Sequence, residues 1–282
     1  MGLFQKLIDL IYPPQCRICR KFLQEEFGET DPDGFFCKAC LSAFIPLESP
    51  HCPICGRSFS QGISENHVCE NCLRKRPFFD WAGAPYLFED GLMEAIHQFK
   101  YGGKSYLAKS LGPLLKQSAE QKLPAGLERG LVMPIPLHPK RLRERGFNQS
   151  LLLARYVAEL PGLELDYLNL RRVRYTQPQT GLKGDERRKN VRWAFRIEDK
   201  TKVKGRVIIL VDDVLTTGST LNECARILKQ AGASRVFGLA LASTVTGFKG
   251  KRERLREDIS HEATKTRGKA GCNGVGGRPA TP

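Results

Sequence analysis

Two adjacent aspartates, followed by a run of hydroxyl side chains around one glycine, carry the most specific chemistry in this chain. In Val207-Ile-Ile-Leu-Val-Asp-Asp-Val-Leu-Thr-Thr-Gly-Ser-Thr-Leu221, a continuous apolar stretch delivers Asp212 and Asp213 at its end. Thr216, Thr217, Gly218, Ser219 and Thr220 then open a helical pattern. Successive backbone N–H groups at the positive end of a helix, joined by Thr and Ser hydroxyls, make a phosphate cradle. Gly218 lets the backbone approach the anion with no Cβ in the way. Paired acids suit ribose hydroxyls or the water shell of a metal. A plain strand–turn–helix with Asp and Thr as caps would not require acids, glycine and hydroxyls together.

The second constellation is made of cysteine. Eight of the ten cysteines precede residue 73, as four C-x-x-C pairs: Cys16-Cys19, Cys37-Cys40, Cys52-Cys55 and Cys69-Cys72. Two intervening residues let one tight turn aim both thiolates at a cation, and two such turns complete a tetrahedron. The gaps of 17 and 13 residues inside the two halves suit a short hairpin between knuckles. The chain therefore offers ligands for up to two structural Zn2+ ions in tandem ribbons, with no position left open for water. Pairing across the halves satisfies the same geometry. A disulfide framework needs an oxidising compartment, and a redox C-x-x-C normally occurs singly beside a βαβ pattern. His51 and His67 adjoin knuckles as possible substitutes for a sulfur, or as solvated neighbours. Few apolar residues lie between the knuckles, so metal is expected to supply much of this region's stability.

Elements must position these groups. Val207–Val211 reads as a central parallel strand, Ser219–Ala231 as the helix after it with Gly232 as its stop, and Arg235–Ala242 as the next strand. Upstream, Gly83–Phe88 and Leu131–Leu137 read as strands, and Leu92–Phe99, Leu107–Leu115 and Asn148–Leu160 as helices. This alternation predicts an α/β fold with a parallel sheet covered on both faces, preceded by a small Cys-rich domain. The expected organisation is a short helix over 1–12, a double zinc ribbon over 13–77, the α/β domain over 81–245, and a basic, Gly-rich disordered tail over 246–282.

Three further stretches accompany the acid–hydroxyl segment: Phe99-Lys-Tyr-Gly-Gly103, Pro134-Ile-Pro-Leu-His-Pro-Lys-Arg-Leu-Arg-Glu-Arg-Gly-Phe-Asn-Gln149, and the pattern Thr176, Gln179, Leu182, Glu186, Arg187, Asn190, Ala194, Phe195. With the ribbon leader, they resemble the ComF family, whose core is a type I phosphoribosyltransferase domain. The resemblance implies that Asp212 and Asp213 hold the ribose hydroxyls and that Thr216 to Thr220 hold the 5′-phosphate of phosphoribosyl pyrophosphate or a nucleotide. It puts Leu137 to Lys140, with His138, at the pyrophosphate loop, and Arg143, Arg145 and Asn148 beside the phosphates. The stretch 171–192, with Arg187, would include a mobile covering loop, and segment 81–110 would supply the hood over the base. Residues 138–192 hold 13 Lys/Arg against 6 Asp/Glu, as a pyrophosphate site requires. The implied reaction is pentosyl transfer with Mg2+ arriving on the pyrophosphate.

Charge points to anionic partners, since Lys and Arg outnumber Asp and Glu by 45 to 30 for a formal net charge of +15. The ComF resemblance adds natural transformation, and so single-stranded DNA and other DNA-uptake proteins as partners. The competing reading is a DNA-binding competence factor without turnover, using the ribbons and the basic surface. Phe35, Phe36, Phe44 and Phe59 among the knuckles would then stack bases, a use that competes with core packing. Ribbons that merely hold partner proteins are the blandest alternative. No run reaches the roughly 18–20 apolar residues needed to span a bilayer. The first twelve residues lack a secretory cleavage pattern, so a cytoplasmic location is expected.

Overall fold

A computed structural model describes residues 13–23, 34–59, 65–176 and 189–244. The expected helix over 1–12, the tail over 246–282 and Arg187 lie outside them. Among the described residues no helix is long and apolar enough to cross a membrane.

The frame is a parallel sheet of β1 (Trp81–Gly83), β2 (Tyr86–Leu87), β3 (Gly130–Pro134), β4 (Leu163–Leu165), β7 (Val207–Leu215) and β8 (Arg235–Ser243). A small antiparallel pair, β5 (Leu170–Arg172) and β6 (Phe195–Ile197), stands apart from it. The order is β1-β8-β7-β3-β4, with β2 also on β8. β7 pairs with β8 from Val207↔Arg235 to Leu215↔Ser243, and with β3 from Leu131↔Ile208 to Pro134↔Val211. Both faces of these strands are covered, which is why their sequences run apolar without alternation. After β3 the chain crosses to β4 on one side and returns to lay β7 on the other. The sheet therefore has its topological switch point between β3 and β7, and a crevice opens at the carboxyl ends of those strands.

On one face, α3 (Asp90–Tyr101), α4 (Ala108–Lys122) and α6 (Gln149–Val157) bury Leu92, Ile96, Phe99, Leu111, Leu115, Leu153 and Val157 against Val132, Ile209, Val211 and Leu239. On the other, α7 (Ser219–Gln230) presents Leu221, Cys224, Ala225 and Leu228, a helical stripe, to Ile208, Leu210, Val236 and Ala240. The short α5 (Pro139–Arg145) falls in the stretch read from sequence as a binding loop. Its His138 side chain caps it by accepting from the Lys140 N–H at 3.3 Å.

The cysteine knuckles lead into two short helices, α1 (Lys38–Ser42) and α2 (Glu70–Arg74). Packing adds to the metal expected to supply much of this region's stability, because both ribbons are seated on the sheet. Phe36 and Phe44 are buried in the cluster of α3 and α4, while Cys52, Ile54, Cys69 and Cys72 belong to the same core as Ala82, Leu210 and Leu221. Phe35 packs on Tyr106 at 4.7 Å and Phe59 stacks on His67 at 3.9 Å. All four knuckle phenylalanines are thus engaged in packing.

Candidate functional site

β7 carries Asp212 and Asp213 to the switch point, and each meets a different partner. Asp212 Oδ1 accepts from the Ser150 hydroxyl at 3.1 Å and from the Asp213 N–H at 2.9 Å. Asp213 Oδ1 lies 2.8 Å from Lys100 Nζ, an ion pair whose side chains are only 10% and 19% exposed respectively. Burial, then the charge of Asp213, pushes the Asp212 carboxyl up to about 7; Lys100 and the two hydrogen bonds pull the other way. Ser150 is held in place by Asn148, which caps α6. The Asn148 Oδ1 accepts from the Ser150 N–H at 3.1 Å, and its Nδ2 donates to the Ile135 carbonyl beyond β3 at 3.1 Å.

Five residues after Asp213, the chain turns through Gly218 at φ +68° into the N-terminus of α7. The Thr217 and Ser219 hydroxyls lie 2.7 Å apart, and the Ser219 N–H donates to Thr217 Oγ1 at 3.4 Å. A Cβ on Gly218 would meet Leu215 and Phe79 at 3.8 Å, which is ordinary contact. Among the surrounding protein atoms, the glycine is thus required by the left-handed backbone and not by crowding. Thr216 and Thr220 flank this turn.

The cysteines resolve the pairing that spacing left open. Cys16, Cys19, Cys37 and Cys40 form one set and Cys52, Cys55, Cys69 and Cys72 another, with sulfurs within 4.8 Å of one another in each. Neither His51 nor His67 joins either set. The Cys19–Cys37 and Cys55–Cys69 sulfurs are 3.7 Å apart. A tetrahedral Zn2+ with Zn–S bonds of ~2.3 Å sets its ligands ~3.8 Å apart. Burial opposes charge on these thiols, yet backbone N–H groups hold Cys16 and Cys52 down to about 7, while burial and neighbouring thiols raise Cys55 to about 12. Such a donor set fits a structural Zn2+, which would bind all four sulfurs as thiolates.

Residues 7–73 match the model of the double zinc ribbon domain and residues 148–264 that of the phosphoribosyl transferase domain. Competence protein F of Haemophilus influenzae is 33% identical over 202 residues, covering 67% of this chain and 85% of that protein. The chain belongs to the ComF family. DNA utilization protein YhgH of Escherichia coli K12 is 33% identical over 242 residues, covering 84% of this chain and all 100% of that protein. Competence protein ComFC of Bacillus subtilis is 28% identical over 207 residues, covering 71% and 80%.

The other residues singled out from this ComF sequence fall into two groups. Around the loop after β3, the ring of Tyr175 gathers His138 at 5.3 Å, Lys140 at 4.9 Å and Arg141 at 6.0 Å. This packs Tyr175, beyond β5, against the residues that follow β3. Arg145 is engaged within the protein, donating to Gln149 Oε1 at 3.0 Å and lying over the Tyr101 ring at 4.9 Å. Arg143 is exposed on α5. Two partners of the acids escaped the sequence reading, Lys100 and Ser150. Lys100 lay inside the Phe99-Lys-Tyr-Gly-Gly103 motif, where a cation closing a helix before two glycines was the available signal. Ser150 carried no local signal.

Proposed function

We propose that this ComF chain binds phosphoribosyl pyrophosphate, or a nucleotide bearing ribose 5-phosphate, in the crevice between β3 and β7. One observation carries this reading: the acid pair of a central strand is followed directly by a left-handed, hydroxyl-lined turn into a helix of 12 residues. On this reading Asp212 and Asp213 accept hydrogen bonds from the ribose 2′ and 3′ hydroxyls. Thr216, Thr217, Gly218, Ser219 and Thr220 hold the 5′-phosphate through N–H groups, hydroxyls and the helix end. His138 and Lys140 face the pyrophosphate, with Arg143 and Arg187 as further phosphate partners. Asn148 and Arg145 act by holding Ser150 and Gln149. The organisation is a double ribbon over 13–77 and a transferase-like part over 81–245.

Turnover would be displacement at the anomeric carbon. The bond to pyrophosphate breaks with its electron pair leaving on pyrophosphate, and a nucleophile forms the new bond to the ribose. The residues contribute positioning and charge stabilisation. Among the described residues, clusters of three or more His, Cys, Asp or Glu able to hold an ion are the two cysteine sets alone. A Mg2+ arriving with the pyrophosphate would supply charge neutralisation of the leaving group. Calorimetric titration of the zinc-replete chain with phosphoribosyl pyrophosphate and Mg2+ tests the reading. Asp212→Asn with Asp213→Asn, or Gly218→Val, is expected to weaken binding at least ~100-fold, from two lost hydrogen bonds to charged acceptors or a strained turn. No binding by folded wild type refutes it.

A second reading, binding of single-stranded DNA, is favoured by Trp193. It is 62% exposed, and Arg226 and Arg192 lie 4.5 and 5.4 Å from its ring. An exposed aromatic among cations is the platform on which unpaired bases stack. The names of the relatives, competence and DNA utilization, support it. This moves the stacking surface away from the ribbon phenylalanines. Trp193→Ala is expected to weaken single-strand binding ~10-fold, and log affinity is expected to fall with log salt. A flat salt dependence rejects this reading.

A further inference from the structure

Lys100 differs from the other basic residues of the pocket in what it faces. It sits at the end of α3, whose Leu92, Ala95, Ile96 and Phe99 are fully buried, so the helix is fixed from beneath. The Gln149 amide donates to its carbonyl at 3.5 Å. Gly102 and Gly103, the latter at φ +64°, turn the chain away immediately afterwards. The ammonium is thereby delivered to the Asp213 carboxylate from a rigid element, not from a loose surface side chain. Buried ion pairs roughly break even in stability, because desolvation offsets attraction. This pair therefore has its consequence in the charge state of the acids.

We propose that Lys100 is a positioning residue of the sugar site, a tethered cation that favours ionisation of the Asp212–Asp213 pair so that its oxygens can accept ribose hydroxyls. The proposal rests on the ribose 5-phosphate reading above. Two carboxylates on consecutive residues of a buried strand resist being charged together, and a cation within ion-pair distance eases that conflict. A carboxyl that takes up a proton becomes a donor and loses acceptor capacity for sugar hydroxyls.

The groups facing the pair can be named element by element. α3 gives Lys100, α6 gives the Ser150 hydroxyl, β5 gives Arg172 and α7 gives Cys224. Cys224 is buried and its thiol is pushed well above its usual value, so it stays neutral. Arg172 acts on Asp212 only through space. Its NH2 donates to Thr176 and its guanidinium lies over the Phe195 ring at 5.3 Å. Lys100 is thus the cation in direct contact with the acids among the described residues. Removing it raises the proton affinity of the pair, so hydroxyl binding at neutral pH should weaken and return as pH rises.

The test compares the zinc-replete wild type with Lys100→Met and Lys100→Arg. Ribose 5-phosphate affinity is measured by calorimetry from about pH 6.5 to 9, with zinc content and melting temperature as folding controls. Lys100→Met is expected to move the binding midpoint up by at least about one pH unit, ~10-fold weaker at pH 7, and to approach wild type near pH 9. Lys100→Arg, which keeps the charge, is expected to retain the wild-type midpoint. A loss that is equal at every pH, or an unmoved midpoint in folded Lys100→Met, overturns the proposal while leaving the sugar site standing. Absence of ribose 5-phosphate binding by wild type at every pH removes the site and the proposal together.

Discussion

Cys16, Cys19, Cys37 and Cys40 form C-x-x-C knuckles folded like those of Cys52, Cys55, Cys69 and Cys72, yet the two sets meet the rest of the molecule differently. Their first knuckles repeat bond for bond. The Cys16 N–H donates to the Lys21 carbonyl at 2.8 Å and the Arg20 N–H to the Cys16 carbonyl at 2.9 Å. In the second ribbon, Cys52 to Arg57 and Gly56 to Cys52 span the same 2.8 and 2.9 Å. The first set gathers its own small cluster with Leu23, leaves Cys19 exposed, and is seated on the body by Phe36 and Phe44. In the second set the cysteines are core residues themselves, packed with Phe79, Ala82 and Leu221, and the Ala82 N–H donates to the Ile54 carbonyl at 2.8 Å. The same metal motif is a local clip in one ribbon and a piece of the main core in the other.

That contrast predicts unequal consequences of losing a ligand. A structural zinc is worth roughly 10–16 kcal/mol of apparent binding free energy, and removal of one sulfur forfeits a large part of it. For Cys72→Ser the loss falls on the core shared with the sheet, so cooperative unfolding of the whole α/β body is expected, with a cost above about 4 kcal/mol. For Cys16→Ser the Phe36 and Phe44 seat survives, and the melting temperature of the body should fall by no more than about 5 °C. Metal analysis with thermal melts separates the cases, since each variant should lose one zinc. Equal melting shifts would show that the two ribbons are energetically alike, and break the comparison.

Much of this was legible because it is local. The β-branched run of β7, the apolar stripe of α7 and the C-x-x-C turns announce themselves within a few residues, and so do Asp212, Asp213 and the hydroxyl turn beside them. What stayed hidden is whatever distant segments bring to those groups. Ser150 reaches Asp212 across 62 residues, and no periodicity records such a contact. β5 overlaps the start of the stretch read as including the covering loop, because a three-residue strand with two arginines lacks an apolar signature. The expected division into a ribbon domain over 13–77 and an α/β domain over 81–245 could not show that Cys52 and Cys72 share a core with Leu221.

The repeat also supplies a finer test through one backbone position. The residue after each first knuckle adopts the left-handed conformation, at φ +63° in Arg20 and φ +65° in Gly56. Arg20 is exposed, so only the conformational cost of a side chain at positive φ applies there. At Gly56 a Cβ would stand 2.7 Å from the Ala82 carbonyl oxygen and 3.0 Å from the Gly83 Cα, both backbone atoms of the strand on which the ribbon sits. Gly56→Ala is therefore expected to cost about 2–4 kcal/mol, strain plus the displacement of a packed strand. Arg20→Gly should stabilise by up to about 1 kcal/mol through relief of strain, offset in part by the entropy glycine gains in the unfolded chain. Urea unfolding at fixed zinc measures both. The pair of outcomes distinguishes a knuckle facing solvent from one wedged against the sheet; similar small effects at both positions would place the second ribbon outside the core and reverse the assignment made from its cysteines.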